Sequence, residues 1–245
     1  MQAPHFTAED HLVWKVLFDR QTALLHRRAA APFVAGLTRL GLARDAAPNL
    51  DDLGQRLRQH TGWDVVPAPG RVDDRTFLAL LAERRYPVTQ WVRSMQQFDY
   101  IAGPDLFHDA FGHLPMLTDP EWATWLEHFG QVARHHLHDA AAVQELVRLF
   151  WYTAEFGLVQ EGEQLRVFGA GLLSSASELH HCLGEEVVRQ PLEVAAVVAT
   201  PVVREGFQAT YFVLPNWAEL SDATAELAVR LTAANVGATV SADQR

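Results

Sequence analysis

The sequence holds a single cysteine, Cys182, so no internal disulfide can staple the fold, as suits a reducing compartment. Basic residues are the scarcer charge: 20 Lys and Arg stand against 30 Asp and Glu, a net −10, and no Lys/Arg cluster stands out. That argues against nucleic acid or an anionic membrane as partner. No apolar run approaches the ~18 residues of a membrane span. The opening Met1-Gln2-Ala3-Pro4-His5-Phe6 lacks the basic-then-apolar layout of a secretion signal, so a cytoplasmic protein is expected. There is no internal repeat, Walker motif or dinucleotide glycine motif after a strand. What is present, 245 residues that are 49% hydrophobic with seven tryptophans, can bury a large core as one domain spanning residues 1–245. Its core is expected over about residues 7–235, followed by a loose tail of small and polar residues.

The periodicity is mainly helical. Thr7-Ala8-Glu9-Asp10 is a capping signal, followed at helical spacing by Val13, Trp14, Leu17 and Phe18. Further helices are predicted from Pro32 to Gly41, from Asn49 to near Gly62, from Phe77 to Arg84, and after the cap-and-proline start Asp119-Pro120-Glu121. Tyr86-Pro87 is expected to break a helix, Pro191 to Ala199 to form a buried one, and Pro215 to lead into a final amphipathic helix. Short strands are expected at Trp63 to Pro67, Gln164 to Phe168, Val202-Val203 and Thr210 to Val213. The expected class is therefore mainly α, many helices with a few short strands. His135, His136 and His138 spread over different helix faces and read as solvated; the adjacent His180, His181 and Cys182 point apart.

The chemistry centres on Asp105-Leu106-Phe107-His108-Asp109-Ala110-Phe111-Gly112-His113-Leu114-Pro115. Five residues of α-helix turn about 500°, which leaves the second histidine roughly 140° from the first. An unbroken α-helix therefore cannot aim both at one point. The expectation is a short helix from about Asp105, its N-cap, to Phe111, ended by a left-handed Gly112, with His113 just beyond. A lone carboxylate, Glu155, sits in the apolar run Leu149 to Leu158, where an unpaired charge would cost several kcal/mol. Two imidazoles and one carboxylate form the facial triad of non-heme ferrous oxygenases. The plain alternative is two ordinary histidines and a carboxylate held by N–H donors.

Three stretches, Gly103-Pro104-Asp105 through Pro115, Trp151 to Leu158, and Phe168-Gly169-Ala170-Gly171-Leu172-Leu173-Ser174-Ser175, resemble in order the catalytic domain of the pterin-dependent aromatic amino acid hydroxylases. The similarity is greatest to the short bacterial phenylalanine 4-hydroxylases and runs from roughly Thr7 to Leu220. It implies the fold of that catalytic domain, Fe(II) held by His108, His113 and Glu155, a tetrahydropterin as electron donor and O2 as co-substrate. It also implies Gly70 and Val72 beside the pterin, Phe77 stacked on it, and Asp109 facing it. The substrate would be a small-molecule aromatic amino acid, with Arg93 on its α-carboxylate, Ser174 at its polar end and against a ligand histidine, and Tyr100, Pro104, Trp151 and Arg204 around it. Asp105 and Glu178 would support this shell. The activity implied is ring hydroxylation, L-phenylalanine to L-tyrosine, by a monomer, since no N-terminal regulatory segment or C-terminal coiled coil extends the chain.

Two positions depart from the family pattern. Gly103 stands where glutamate is usual, and Arg204 where relatives carry an apolar residue. Arg204 either pairs with Glu205 and points away, or enters the pocket and selects an unusual or acidic aromatic substrate. Two other readings stay open. A zinc hydrolase would use His-Glu-x-x-His, but the spacing here is one residue longer and Asp109 replaces the glutamate. A helical scaffold without activity would have no need of all three candidate ligands.

Overall fold

The computed structural model describes residues 5–99 and 101–242. Helices carry most of it, and several begin where a side chain satisfies their free N–H groups. Thr7 and Asp10 bond reciprocally at the start of α1 (Ala8–Leu25). The helix α2 (Ala31–Leu40) carries proline in its first turn and ends on Gly41 in the left-handed conformation, φ 62°. Asn49 caps α3 (Leu50–His60) by accepting from the N–H groups of Asp51 and Asp52.

The next segment is a parallel unit. Strands β1 (Asp64–Ala68) and β2 (Arg85–Thr89) pair side by side across the helix α4 (Asp74–Leu81). Tyr86-Pro87 therefore lies within a strand instead of merely breaking a helix. Pro87, opposite Val66, is tolerated because a two-stranded sheet has only edges. Aspartates then cap two long helices, α5 (Pro120–His136) and α6 (Ala140–Phe150).

After α6 come β3 (Leu158–Glu161), β4 (Gln164–Val167), α7 (Ala170–Ser174), α8 (Ala176–Cys182), β5 (Val188–Pro191), α9 (Val194–Ala199), β6 (Thr210–Leu214) and α10 (Glu219–Ala242). The second sheet has the order β4-β3-β6-β5, with β3 and β4 antiparallel and β6 parallel to both its neighbours. Three expectations change here. The stretch from Pro191 to Ala199 is divided, because Pro191 ends a strand and only Val194–Ala199 is helical. Val202-Val203 follows no strand pairing. The expected loose tail is helical as far as Ala242, with no proline to stop α10.

Buried side chains from Val13 in α1 to Leu231 in α10 form one hydrophobic cluster. Among the described residues no helix is long and apolar enough to cross a membrane. The contact between α4 and α5 has no room for a side chain. A Cβ on Gly130 of α5 would stand 2.3 Å from the Ala82 nitrogen and 2.6 Å from the Leu81 carbonyl carbon, both backbone atoms. Replacing Gly130 by alanine must therefore push α4 off α5. We expect Gly130→Ala to lower unfolding free energy by about 1–3 kcal/mol in urea titration; an unchanged midpoint would contradict this packing.

Candidate active site

The two histidines are brought together by a device other than the expected helix stop. Asp105 does act as a cap, its Oδ1 accepting from the His108 N–H at 3.0 Å. From His108 to His113, however, the helix widens into a π-turn, and the Leu114 N–H donates to the carbonyl of Asp109, five residues back. In that geometry residue i+5 returns beneath residue i, so both imidazoles face one point without the chain leaving the helix. Gly112 is not left-handed. It is required because a Cβ there would meet the Cβ and carbonyl oxygen of Ala170 in α7, each at 3.0 Å.

Glu155 is delivered in the same way. The end of α6 widens into a second π-turn, Trp151–Glu155, closed by Phe156 N–H donating to the Trp151 carbonyl at 2.9 Å. Beneath it, the Thr153 hydroxyl donates to the Leu149 carbonyl at 2.5 Å, offering a side-chain partner to a helix acceptor. A Cβ on Gly169 would lie 2.4 Å from the Glu155 carbonyl oxygen, so the turn into α7 presses directly on the Glu155 peptide.

The three ligand atoms converge. The Nε2 atoms of His108 and His113 are 3.2 Å apart, and Glu155 carboxylate oxygens lie 3.5 and 3.2 Å from them, respectively. Ligands about 2.1 Å from one ion and at right angles would stand roughly 3 Å apart, so the triangle suits a cation capped on one face. Among the described residues this is the one such group of metal-ligating side chains. His108 is in the correct tautomer. The Ser174 hydroxyl donates to the Ala170 carbonyl at 2.8 Å, so at 3.0 Å from His108 Nδ1 it can only accept, which puts the ring proton on Nδ1 and bares Nε2. Burial pushes the His108 imidazole down to about 4, keeping it neutral. Burial pushes Glu155 up, but the two adjacent imidazoles, His113 foremost, outweigh it and keep the carboxyl below its ordinary value. A neutral imidazole such as His108 and an ionised carboxylate are what a divalent ion needs. The donor set fits ferrous iron, and by itself also fits a catalytic zinc.

The ligands open onto a cavity of about 580 Å³. Its walls include Gly70, Val72, Phe77, Arg93, Pro104, Trp151 and Ser174. Phe77 packs edge-on against Tyr86 and Phe150, with ring centroids 5.8 and 4.8 Å apart. Asp109 also faces the cavity, its Oδ2 accepting from the Thr89 N–H at 2.7 Å; burial pushes its carboxyl up to about 7. Arg93 is buried and clamped on Asp105, Nε and Nη2 each donating at 2.9 Å. Two of its five N–H donors are used in this way, leaving three. Glu178 accepts from the Tyr211 hydroxyl at 2.5 Å, and burial raises its carboxyl. Arg204 enters the cavity, pairing with Asp74 at 3.7 Å and lying over the Trp151 ring, rather than turning away to Glu205. Tyr100 lies outside the described residues.

Several contributors carry no mark in the sequence. Gln208, wholly buried, accepts from the Trp151 indole at 2.9 Å and donates to the Val203 carbonyl at 2.7 Å, fixing one wall. Tyr86 tilts against His113 at a centroid distance of 4.9 Å, and Thr89 holds Asp109. Both sit in β2, which reads in sequence as a broken helix; only its alternation around Pro87 hints at a strand. The other histidines do not assemble. His136, expected to be solvated, is buried, because it turns inward from the last turn of α5 while His135 stays exposed. His181 stacks on Phe207 at 4.4 Å.

Comparison with known proteins points the same way. A family profile described as biopterin-dependent aromatic amino acid hydroxylase matches residues 2–235. The chain is 41% identical over 220 residues to the phenylalanine-4-hydroxylase of Ralstonia nicotianae, covering 89% of this chain and 70% of that protein. It is 42% identical over 221 residues to the enzyme of the same name from Chromobacterium violaceum, covering 90% and 74%. The crystal structure of the Chromobacterium violaceum phenylalanine hydroxylase with bound iron(III) and 7,8-dihydrobiopterin superposes with a TM-score of 0.87 at 40% identity, covering 94% of this chain and 84% of that one. Its iron- and phenylalanine-bound form gives 0.84 at 39% identity, covering 93% and 84%.

Removing the Ser174 hydroxyl frees the His108 ring to rotate and to exchange its proton. We expect Ser174→Ala to bind Fe(II) roughly 10–100-fold more weakly in anaerobic titration with little change in melting temperature; unaltered affinity would remove the positioning role.

Proposed function

The chain belongs to the biopterin-dependent aromatic amino acid hydroxylase family, and from that premise we propose that it is an Fe(II)- and tetrahydropterin-dependent monooxygenase converting L-phenylalanine to L-tyrosine. The observation that carries this reading is the convergence of His108, His113 and Glu155 on one point at the base of a cavity large enough for organic ligands. When bound, the ferrous ion and the reduced pterin supply the electrons that activate O2 for attack on the ring.

The protein's own part is to hold and to exclude. His108 and His113 offer ring nitrogens and Glu155 a carboxylate oxygen, and no side chain has to act as a nucleophile. Arg93 presents its remaining N–H donors to the substrate carboxylate, stiffened from behind by Asp105. Pro104 and Trp151 wall the ring, and Trp151, itself held by Gln208, leaves space for a one-ring substrate. Gly70, Val72 and Phe77 border the pterin side, with Asp109 held by Thr89 at its edge. Glu178 and its Tyr211 partner support the polar end.

The reading extends to a cytoplasmic monomer, in keeping with a buried free thiol at Cys182. Size-exclusion chromatography should give a mass near 27.4 kDa, and a tetramer would overturn that part. The central test is formation of tyrosine from phenylalanine with Fe(II), tetrahydropterin and O2. His108→Ala and Glu155→Ala should lose both bound iron and product. Equal activity in all three proteins would refute the hydroxylase assignment, and a stoichiometric zinc with no ferrous–nitrosyl signal would favour hydrolysis instead.

A further inference from the structure

Most charges that line the cavity are matched. Arg93 is paired with Asp105, Asp99 with Arg20 at 2.6 Å, and Glu178 accepts a hydrogen bond from the Tyr211 hydroxyl. One group is not balanced. Arg71, on the loop before α4, and Arg204, on the opposite strap after α9, share the single carboxylate of Asp74. Arg71 Nη2 donates to Asp74 Oδ1 at 2.7 Å, whereas Arg204 Nη2 stands 3.7 Å from Oδ2, beyond hydrogen-bond reach. Among the described residues the Arg204 guanidinium makes no hydrogen bond, and its remaining contact is the Trp151 face, with Cζ 5.4 Å from the ring centroid. Glu155 also acts on both arginines through its charge, but it belongs to the ligand triad, so the Arg204 guanidinium has no carboxylate within hydrogen-bond reach beside its aromatic wall.

The proposed reaction has no use for this charge. The α-carboxylate of phenylalanine belongs to Arg93, and a bare phenyl ring beside Arg204 would desolvate a guanidinium without offering it an acceptor. Burial together with the charge of Arg71 already lowers the Arg204 pKa. There is also room: a Cβ on Gly103, which lines the same cavity, would meet nothing within 4 Å. A guanidinium with spare, forked donors facing a cavity matches a carboxylate or phosphate.

We infer that Arg71, Asp74 and Arg204 form an anion-recognition subsite that selects an organic ligand carrying an additional negative group, either on the ring of the aromatic amino acid or on the side chain of the pterin. This rests on the hydroxylase reading and names the chemistry that reading leaves open. The two sources share one recognition chemistry and are separated by experiment. Binding to the anaerobic Fe(II)-loaded protein would be followed by tryptophan fluorescence in two arms: L-phenylalanine against 4-carboxy-L-phenylalanine, and 7,8-dihydrobiopterin against 7,8-dihydrofolate. In one arm the anionic compound should bind at least about ten-fold more tightly than its neutral counterpart, the scale of one charge-assisted hydrogen-bond pair. That ratio should fall to within about two-fold of unity in Arg204→Gln and be reduced in Arg71→Gln. The arm that shows the preference identifies which ligand carries the charge. No preference in either arm, or a preference that survives both substitutions, overturns the inference. If the neutral ligands bind and tyrosine is formed while no anion is preferred, the subsite fails and the hydroxylase reading stands; if the neutral ligands do not bind either, both fall.

Discussion

Three electron-pair donors aimed at one another are the constraint on which the rest of the structure depends. His108, His113 and Glu155 present acceptor atoms 3.2 to 3.5 Å apart where a largely apolar core opens into the cavity. Such an arrangement is unfavourable unless a cation or a proton sits among them. Packing elsewhere also holds the three side chains in place. The enforcement is visible in α7, which lies on Gly112 of one widened turn, while Gly169 just before it touches the Glu155 carbonyl of the other, and which carries Ser174 to orient an imidazole. Those two glycines serve close approach, and larger side chains there would part the two halves of the centre.

One carboxylate links the metal side to the substrate side. Asp105 caps the turn that carries His108 and also receives the Nε and Nη2 donors of Arg93. Its pKa is held below the ordinary value because the Arg93 bond and charge, with the two backbone N–H donors, outweigh the burial that would raise it. The pair is buried with both ends satisfied, the condition under which an ion pair is tolerated inside a protein. Arg93 thereby arrives with its orientation set, so less rotational freedom is lost on meeting a carboxylate.

Legibility in the sequence followed the range of the forces involved. Helix starts at Thr7, Asn49 and Asp119 were readable because capping is a local exchange between residues two or three apart. A lone Glu155 in an apolar run signals an unsatisfied charge, but joining it to His108 and His113 took the family resemblance, because nothing local in the sequence ties residues so far apart. The widened turns were not readable: an i+5 hydrogen bond has no residue preference comparable to a cap, so spacing showed that the α-helix must fail but not how. Strand β2 was missed because Pro87 signals a break unless the sheet is known to have only edges there. The direction of Arg204 was undecidable from its neighbour Glu205, since the carboxylate it faces, Asp74, is far away in the chain.

The paired π-turns also bear on how such a centre could arise and be lost. A π-turn is an α-turn that has accommodated one extra residue, so each ligand-bearing segment behaves as an α-helix with a single-residue insertion absorbed in place. Deletion of one residue from either segment would restore ordinary winding and remove the widened turn that brings its ligand to the centre, with the flanking turns left in phase. The helix would gain regularity, and the ligand would leave the centre. The number of residues inside 108–113 and 151–155 is thus as much a part of the centre as the ligands they carry.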